Sequence, residues 1–159
     1  MCPPTSRPAP SPDSGACHLL ILRLGRASAV RLGAALGELD MHPHEFAVLH
    51  ALSEAGPISQ GRLGESLRVH ASNLVAVIDG LEAEELVLRR RDPVDRRRYL
   101  VELTARGHRR LEQARHAAEQ VEADLLAPLD EAERRSLHQY LTRVAAHACA
   151  AGRGNGRSC

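Results

Sequence analysis

Six arginines lie within a stretch of ten residues in the middle of the chain, three before and three after a short turn. They are Arg89, Arg90, Arg91, Arg96, Arg97 and Arg98. Guanidinium groups are permanently charged and donate paired hydrogen bonds that suit phosphate and carboxylate oxygens. So dense a cluster needs an anionic partner or open water. The alternative is a solvated hairpin whose charges only maintain solubility, and the neighbouring elements must decide between the two.

The arginines flank a turn between two short apolar segments. Residues 86–88 and 99–103 have the composition of strands, and Asp92, Pro93 and Asp95 between them are turn residues. The sequence therefore predicts a two-stranded hairpin with the arginines near its turn.

Two helices separated by a tight break precede this hairpin. The short one spans about 59–67, and the longer one, about 71–85, places Leu74, Ile78 and Leu81 on one face. Short helix, tight turn and longer helix is the helix-turn-helix arrangement, and a hairpin directly after it is a wing. The opposite face of the longer helix carries Ser72, Asn73, Ala76 and Asp79.

Long amphipathic helices are predicted on both sides of this unit. Their apolar stripes exceed what one small winged domain can cover, which favours pairing with a second copy over a monomer with a larger helical core. The predicted boundaries are a disordered Pro-rich tail at 1–13, a dimerisation helix at 14–40, the winged helix-turn-helix at 41–104, two dimerisation helices at 105–150 and a flexible tail at 151–159.

The composition excludes several classes of protein. The 159 residues carry a formal net charge of +1, and every one of the 21 basic residues is arginine. Two tyrosines, one phenylalanine and no tryptophan are too few for a single-strand stacking platform. No paired carboxylates, nucleophile motif or phosphate loop indicates an enzyme or a cofactor. Without a signal peptide or a membrane span, we expect a cytoplasmic protein with reduced thiols.

Residues 80–89, 92–98 and 101–107 contain, in order, Leu-Glu, Leu-Val-x-Arg, Asp-Arg-Arg and Leu-Thr-x-x-Gly. This ordered set resembles the signatures of the MarR family of winged helix-turn-helix transcription regulators, and the resemblance extends over about residues 16–150. It implies a mainly α (α+β) fold with a two-stranded wing, and a homodimer that binds double-stranded DNA, usually as a repressor.

The resemblance also implies which residues contact DNA. The recognition helix would present Ala71, Ser72, Asn73 and Ala76 to the major groove, where Asn73 suits an adenine and alanine suits a thymine methyl group. The wing would use Asp95, Arg96, Arg97 and Arg98. Arg97 matches the wing-tip arginine of the family and would enter the minor groove, oriented by Asp95, while Arg96 and Arg98 contact phosphates.

Four further residues are candidates for contacts with the DNA backbone, although solvated surface is the alternative for each. They are Ser59, Gln60, Arg62 and Arg68. The chain departs from many family members at Val75-Ala76, where they have Thr-Arg, so their operator sequence cannot be transferred to it.

The resemblance implies a small-molecule effector, usually a phenolic or other aromatic anion, between the dimerisation helices and the reading domain. The candidate residues are Arg23, Arg26, His42, His44, His50 and His108. Arginine and histidine beside an apolar cleft would suit a carboxylate, whereas ordinary surface is the alternative for each.

Three other interpretations stay open. Cys17, near the start of the first helix, resembles the peroxide-sensing thiol of one branch of the family, although the tyrosines around that thiol are absent here. A zinc-responsive site would use His42, His44 and Glu45 with His108 or His116, but no His pair has i, i+4 spacing. A winged helix can also be a protein-interaction module, for which an uncharged wing is expected.

Overall fold

A computed structural model of the protein describes residues 16–67, 69 and 71–152, with side chains described over 17–67, 69 and 73–148. The elements in order are α1 (Ala16–Gly37), α2 (Pro43–Ala55), β1 (Ile58–Ser59), α3 (Gln60–Leu67), α4 (Ala71–Ala83), β2 (Val87–Arg91), β3 (Tyr99–Leu103), α5 (Ala105–Leu125) and α6 (Glu131–Gly152). The mainly helical fold with a winged helix-turn-helix is confirmed. The tail predicted at 1–13 and the end of the chain from 153 lie outside the described residues.

The wing belongs to a three-stranded antiparallel sheet with the order β1-β3-β2. The predicted hairpin is confirmed, with β2 paired to β3 from Val87↔Leu103 to Arg91↔Tyr99. The extra strand β1 pairs with β3 through Ile58↔Val101. The sequence did not predict β1 because two residues are too short to show an alternating pattern. Strand β3 is therefore held on both edges and connects the wing to the start of α3.

The core lies under the recognition helix. Leu74, Ile78 and Leu81 of α4 are at most 1% exposed, as the helical spacing predicted. They join buried residues of α1, α2, α3, both long strands and α5 in one cluster. This burial fixes the rotation of α4 about its own axis, because any other rotation would expose three large apolar side chains.

Two helix ends turn the chain sharply through residues with left-handed backbone. After α4 the N–H of Leu86 donates to the carbonyl of Leu81 at 2.8 Å and that of Glu85 donates to Glu82 at 3.0 Å. These two bonds form a Schellman motif, which requires a positive φ at Glu85, and the value there is 59°. Asp40, at φ 48°, ends α1 in the same way.

The junction between the wing and α5 is tightly packed. Thr104 caps α5 by accepting the Gly107 N–H at 2.9 Å, and its hydroxyl donates to the Glu85 carbonyl at 2.6 Å. A β carbon at Gly107 would overlap the Leu86 carbonyl oxygen. The glycine therefore allows the first turn of α5 to contact the chain segment that leads from α4 into β2.

The two outer helices leave apolar side chains uncovered. Helix α1 exposes Leu19, Leu20, Ile21, Leu22, Leu24 and Val30, and α6 exposes Tyr140, Leu141 and Val144. None of the described side chains of α6, residues 131–148, is buried. Within the described part of the chain, no helix is both long and apolar enough to cross a membrane.

Candidate nucleic-acid interface

The outward face of α4 is available to a partner. Asn73 and Ala76 are exposed, and Val75 beside them is 41% exposed. Ala71 and Ser72 lie in the first turn of the helix, but their side chains are outside the described part. The face thus combines one amide, which can pair with a base edge, and small apolar groups that can contact a methyl group.

Two aspartates fold the wing loop. The Asp92 carboxylate accepts the Val94 N–H at 2.8 Å, and the Asp95 carboxylate accepts the Arg97 N–H at 3.1 Å. Backbone bonds from Arg98 to the Asp95 carbonyl and from Asp92 to the Arg98 carbonyl, at 2.9 and 3.0 Å, close the loop. The backbone of the wing tip is therefore ordered by the chain itself before any partner binds.

The resemblance implied that the Asp95 carboxylate orients the Arg97 side chain, but the structure shows a different contact. The carboxylate pairs with the Nε of Arg98 at 3.2 Å, and it reaches Arg97 only through the backbone N–H. Among the described residues, Arg96 and Arg97 have no acidic partner, and both are exposed. Two uncompensated guanidinium groups thus extend from an ordered loop, next to a third that is weakly paired and 70% exposed.

The other three arginines have partners within the chain. Arg90 Nε lies 2.6 Å from a Glu102 carboxylate oxygen. Arg91 lies over the Tyr99 ring, 5.0 Å from its centroid, and donates to the Arg96 carbonyl at 2.7 Å. Arg89 binds two carboxylates of α4. The six arginines therefore divide into a base, where all three side chains have partners within the chain, and a tip, where Arg96 and Arg97 have no acidic partner among the described residues.

The predicted backbone contacts lie where β1 joins α3. The Ser59 hydroxyl accepts the Arg62 N–H at 3.4 Å, Gln60 is the first residue of α3, and the Arg62 side chain is exposed. Arg68 lies outside the described residues. Donors at the start of a helix suit a phosphate oxygen, so this corner is compatible with a backbone contact.

The six residues proposed for an effector are exposed and occupy different elements. Arg23 and Arg26 lie on α1, His42 to His50 lie in or just before α2, and His108 lies in the first turn of α5. None of them lines the groove of about 730 Å³ between α1 and α5, which has apolar walls and carries Glu38, Glu112, Asp124 and His116.

Neither of the other sensing chemistries has an assembled site in the described part of one chain. Among residues 17–67, 69 and 73–148, no three His, Cys, Asp or Glu side chains are grouped to hold a metal ion, so His42, His44 and Glu45 do not meet His108 or His116. Cys17 is exposed in the first turn of α1.

Sequence reasoning missed one exposed residue of the wing and two contacts made by α5. Val94 at the wing tip is 93% exposed, and the turn sequence around it could have indicated that. Arg115 of α5 donates to the Ser53 hydroxyl of α2 at 2.7 Å, and Arg110 donates to the Leu39 carbonyl after α1. Surface arginines on a long helix give no sequence signal of such contacts, which tie α5 to α2 and to the turn after α1.

Comparison with known proteins identifies relatives that share this fold. The regulator MhqR of Bacillus subtilis is 32% identical over 110 residues, covering 68% of this chain and 74% of MhqR. A mutant of MarR from Escherichia coli, solved in complex with operator DNA, is 27% identical with a TM-score of 0.70 and covers 81% of this chain and 93% of its own. BpsR of Bordetella bronchiseptica, whose DNA binding is regulated by 6-hydroxynicotinic acid, is 26% identical with a TM-score of 0.70 and covers 83% and 99%.

Other curated relatives match over a shorter part. The chain spans 61%, 56% and 63% of the length of three of them, all described as transcriptional regulators or regulatory proteins. A sequence profile of the MarR family matches residues 41–99, which contain α2, the helix-turn-helix, β2 and the wing loop. Together with the MhqR alignment and the similarity of the whole fold, this match shows that the chain belongs to the MarR family.

Proposed function

We propose that this protein is a transcriptional regulator that binds double-stranded DNA as a homodimer. The observation that carries the proposal is the hydrogen-bonded wing loop beside the exposed face of α4, in which Arg96 and Arg97 have no acidic partner among the described residues. The operator complex of the E. coli relative supports it. A protein-interaction module is expected to have an uncharged wing, whereas the described wing of this chain carries exposed arginines.

Each part of the surface has a separate role in this proposal. Asn73 pairs with an adenine edge in the major groove, and the neighbouring Val75 and Ala76 contact methyl groups. Arg97 enters the minor groove, whose negative potential is greatest over A·T-rich sequence. Arg96 and Arg98 contact phosphates, as do the residues at the start of α3, and these contacts set the register without reading sequence.

The exposed apolar faces of α1 and α6 support the homodimer. Side chains such as Leu20, Leu24, Leu141 and Val144, each at least 51% exposed, are removed from water if two copies pair through these helices. The two reading domains then bind half-sites related by the two-fold axis, with centres about one helical turn of DNA apart.

The Arg97→Ala variant tests the DNA-binding proposal. The probe is a duplex that the wild-type protein selects from a randomised pool, and affinity is measured at several salt concentrations. Loss of this cation from the minor groove lowers the affinity and reduces the slope of log K against log salt by about 0.9 for each wing, the value expected for one neutralised phosphate. Arg135→Ala on α6, which removes an exposed charge far from the wing in sequence, is the control. An unchanged affinity and slope for Arg97→Ala would remove the wing from the mechanism.

We further propose that the protein is a repressor released by a small effector. The regulation of BpsR by 6-hydroxynicotinic acid supports an aromatic carboxylate, for which the arginines and histidines of α1, α2 and α5 are the candidates. Thiol sensing by the exposed Cys17 and zinc sensing across a dimer are the alternatives. The same binding assay, repeated with aromatic acids, peroxide or zinc, separates the three sensing chemistries, because only the correct class of effector releases the DNA. Cys17→Ser abolishes a response to peroxide but leaves a response to an aromatic acid intact.

A further inference from the structure

Arg89 joins the recognition helix to the wing. It lies in the middle of β2, and its side chain is only 23% exposed. One terminal nitrogen lies 2.5 Å from the Asp79 carboxylate and the other contacts the Glu82 carboxylate. The backbone N–H of Arg89 also donates to Glu82, at 3.2 Å. One residue of the wing strand therefore makes three contacts with the second half of α4.

These contacts fix an angle as well as a distance. Asp79 and Glu82 are three residues apart, so they lie on the same side of α4. A planar guanidinium can satisfy two carboxylates only in a narrow range of orientations, which sets the direction of β2 relative to the helix axis. The short turn through Glu85 is the covalent connection between the two elements, and the Arg89 contacts brace it from the side.

The Arg89 side chain keeps its charge over the neutral pH range. Burial alone would lower the pKa of Arg89, but hydrogen bonds and attraction from Asp79 and Glu82 outweigh that effect and raise it above its ordinary value. A cation with a raised pKa stabilises the fold at every pH below its unfolded value, and the contribution is lost only as the pH rises through the folded value. Arg89 itself is therefore not a pH switch.

We propose that Arg89 is a positioning residue for DNA recognition, which holds the wing at the angle where α4 and Arg97 reach adjacent grooves together. The proposal rests on the DNA-binding function proposed above. Arg89 acts through the wing tip, because its two terminal nitrogens are occupied by carboxylates of α4.

A double-mutant cycle with Arg89→Gln and Arg97→Ala tests this role. If Arg89 only positions the wing, Arg89→Gln weakens binding by between about twofold and thirtyfold, and adding Arg97→Ala then costs much less than it does in the wild-type background. Hydroxyl-radical footprinting, which reads the sugars along the minor groove, shows loss of protection by the wing, and dimethyl sulfate footprinting at guanine N7 shows that protection of the major groove is retained. The proposal would be overturned if each substitution reduced the affinity by the same factor whether or not the other was present, and if the footprint of the wing stayed intact.

The Glu82→Gln variant gives an independent test with an opposite sign. Removal of a negative charge from a DNA-binding surface strengthens binding if electrostatics alone acts. The positioning role predicts weaker binding, because Arg89 loses one of its two carboxylates. Tighter binding by Glu82→Gln would refute the role even if Arg89→Gln failed to fold.

Two controls complete the experiment. Arg106→Gln breaks an exposed ion pair with Glu85 at 3.6 Å, close to the same turn but not between α4 and the wing, so it leaves the footprint unchanged. Arg89→Lys keeps the charge but makes only one of the two contacts, and it recovers part of the affinity. Failure of the wild-type protein to select any duplex refutes the DNA-binding function itself, whereas loss of affinity in Arg97→Ala without any change in Arg89→Gln refutes only the positioning role.

Discussion

Gly107 lies in the first turn of α5, against the carbonyl of Leu86, and no β carbon fits between them. The Leu-Thr-x-x-Gly pattern thus has a steric explanation in this chain. Thr104 supplies the cap, and the glycine three residues later supplies the space. Threonine is a preferred residue type at helix caps, so the cap follows from local sequence. The close approach depends on the chain arriving from α4, which no local pattern contains.

Gly107→Ala should destabilise the fold by about 1–3 kcal/mol or more, because backbone and not a flexible side chain must move. Urea unfolding followed by circular dichroism measures the change. Gly80→Ala is the matched control, since nothing lies within 4 Å of the added carbon on α4. That substitution should stabilise the helix by about 0.5–1 kcal/mol. An equal effect of the two alanines would contradict the steric explanation.

The wing tip shows how far residue types alone can be interpreted. The sequence identified the arginines and Asp95, but the carboxylate has two neighbours that compete for it. Bonding to the Arg97 N–H and to the Arg98 side chain satisfies the carboxylate within the loop, so the Arg97 side chain is free. Choosing between partners two and three residues away requires the backbone geometry of the loop.

Among the elements, the helices were predictable and the short strand was not. Leu74, Ile78 and Leu81 recur at helical spacing and are buried, so α4 and its outward face follow from the sequence. Strand β1 forms only because β3 offers a free edge to Ile58 and Ser59. Its existence is a tertiary effect, and it holds the wing strand from the side opposite to β2.

The turn between α4 and β2 stores strain at Glu85, where φ is 59°. A side chain in left-handed backbone costs about 1–2 kcal/mol, whereas glycine adopts that backbone freely but loses more entropy on folding. Glu85→Gly should therefore stabilise the protein by about 0.5–1 kcal/mol, while Glu85→Val should destabilise it. Thermal unfolding of both variants measures whether each is more or less stable than the wild-type protein. A less stable glycine variant would show that the Glu85 side chain itself stabilises the fold by more than its backbone strain costs.

At the scale of the whole molecule, the outer helices leave apolar surface uncovered in a single chain. The buried cluster includes none of the described side chains of α6, and Tyr140, Leu141 and Val144 of that helix are each more than half exposed. The sequence predicted this excess of apolar surface from the helical stripes. It could not predict which faces meet, because several faces of a helix with many alanines and leucines are similarly apolar.

Leu141→Asp combined with Val144→Asp should convert the protein to a monomer whose reading domain stays folded, because a charged pair on that face would have to be desolvated in a dimer. Analytical ultracentrifugation measures the state, and affinity for the selected duplex should fall as the second half-site is lost. Gln139→Asp, an exposed polar position on the same helix, is the control. A dimer that persists in the double variant would place the interface elsewhere.

The contact between Arg110 and the backbone carbonyl of Leu39 has a consequence for how this protein can change during evolution. Every residue type has a backbone carbonyl, so replacement of Leu39 leaves the acceptor in place as long as the turn keeps its shape. Proline would disturb the turn, because the Leu39 N–H donates to the Leu36 carbonyl at 2.9 Å. Selection on the link would act on Arg110 and on the shape of the turn around Asp40, not on a matched pair of side chains. Methods that search for correlated substitutions would therefore pass over this connection between α5 and the turn that follows α1.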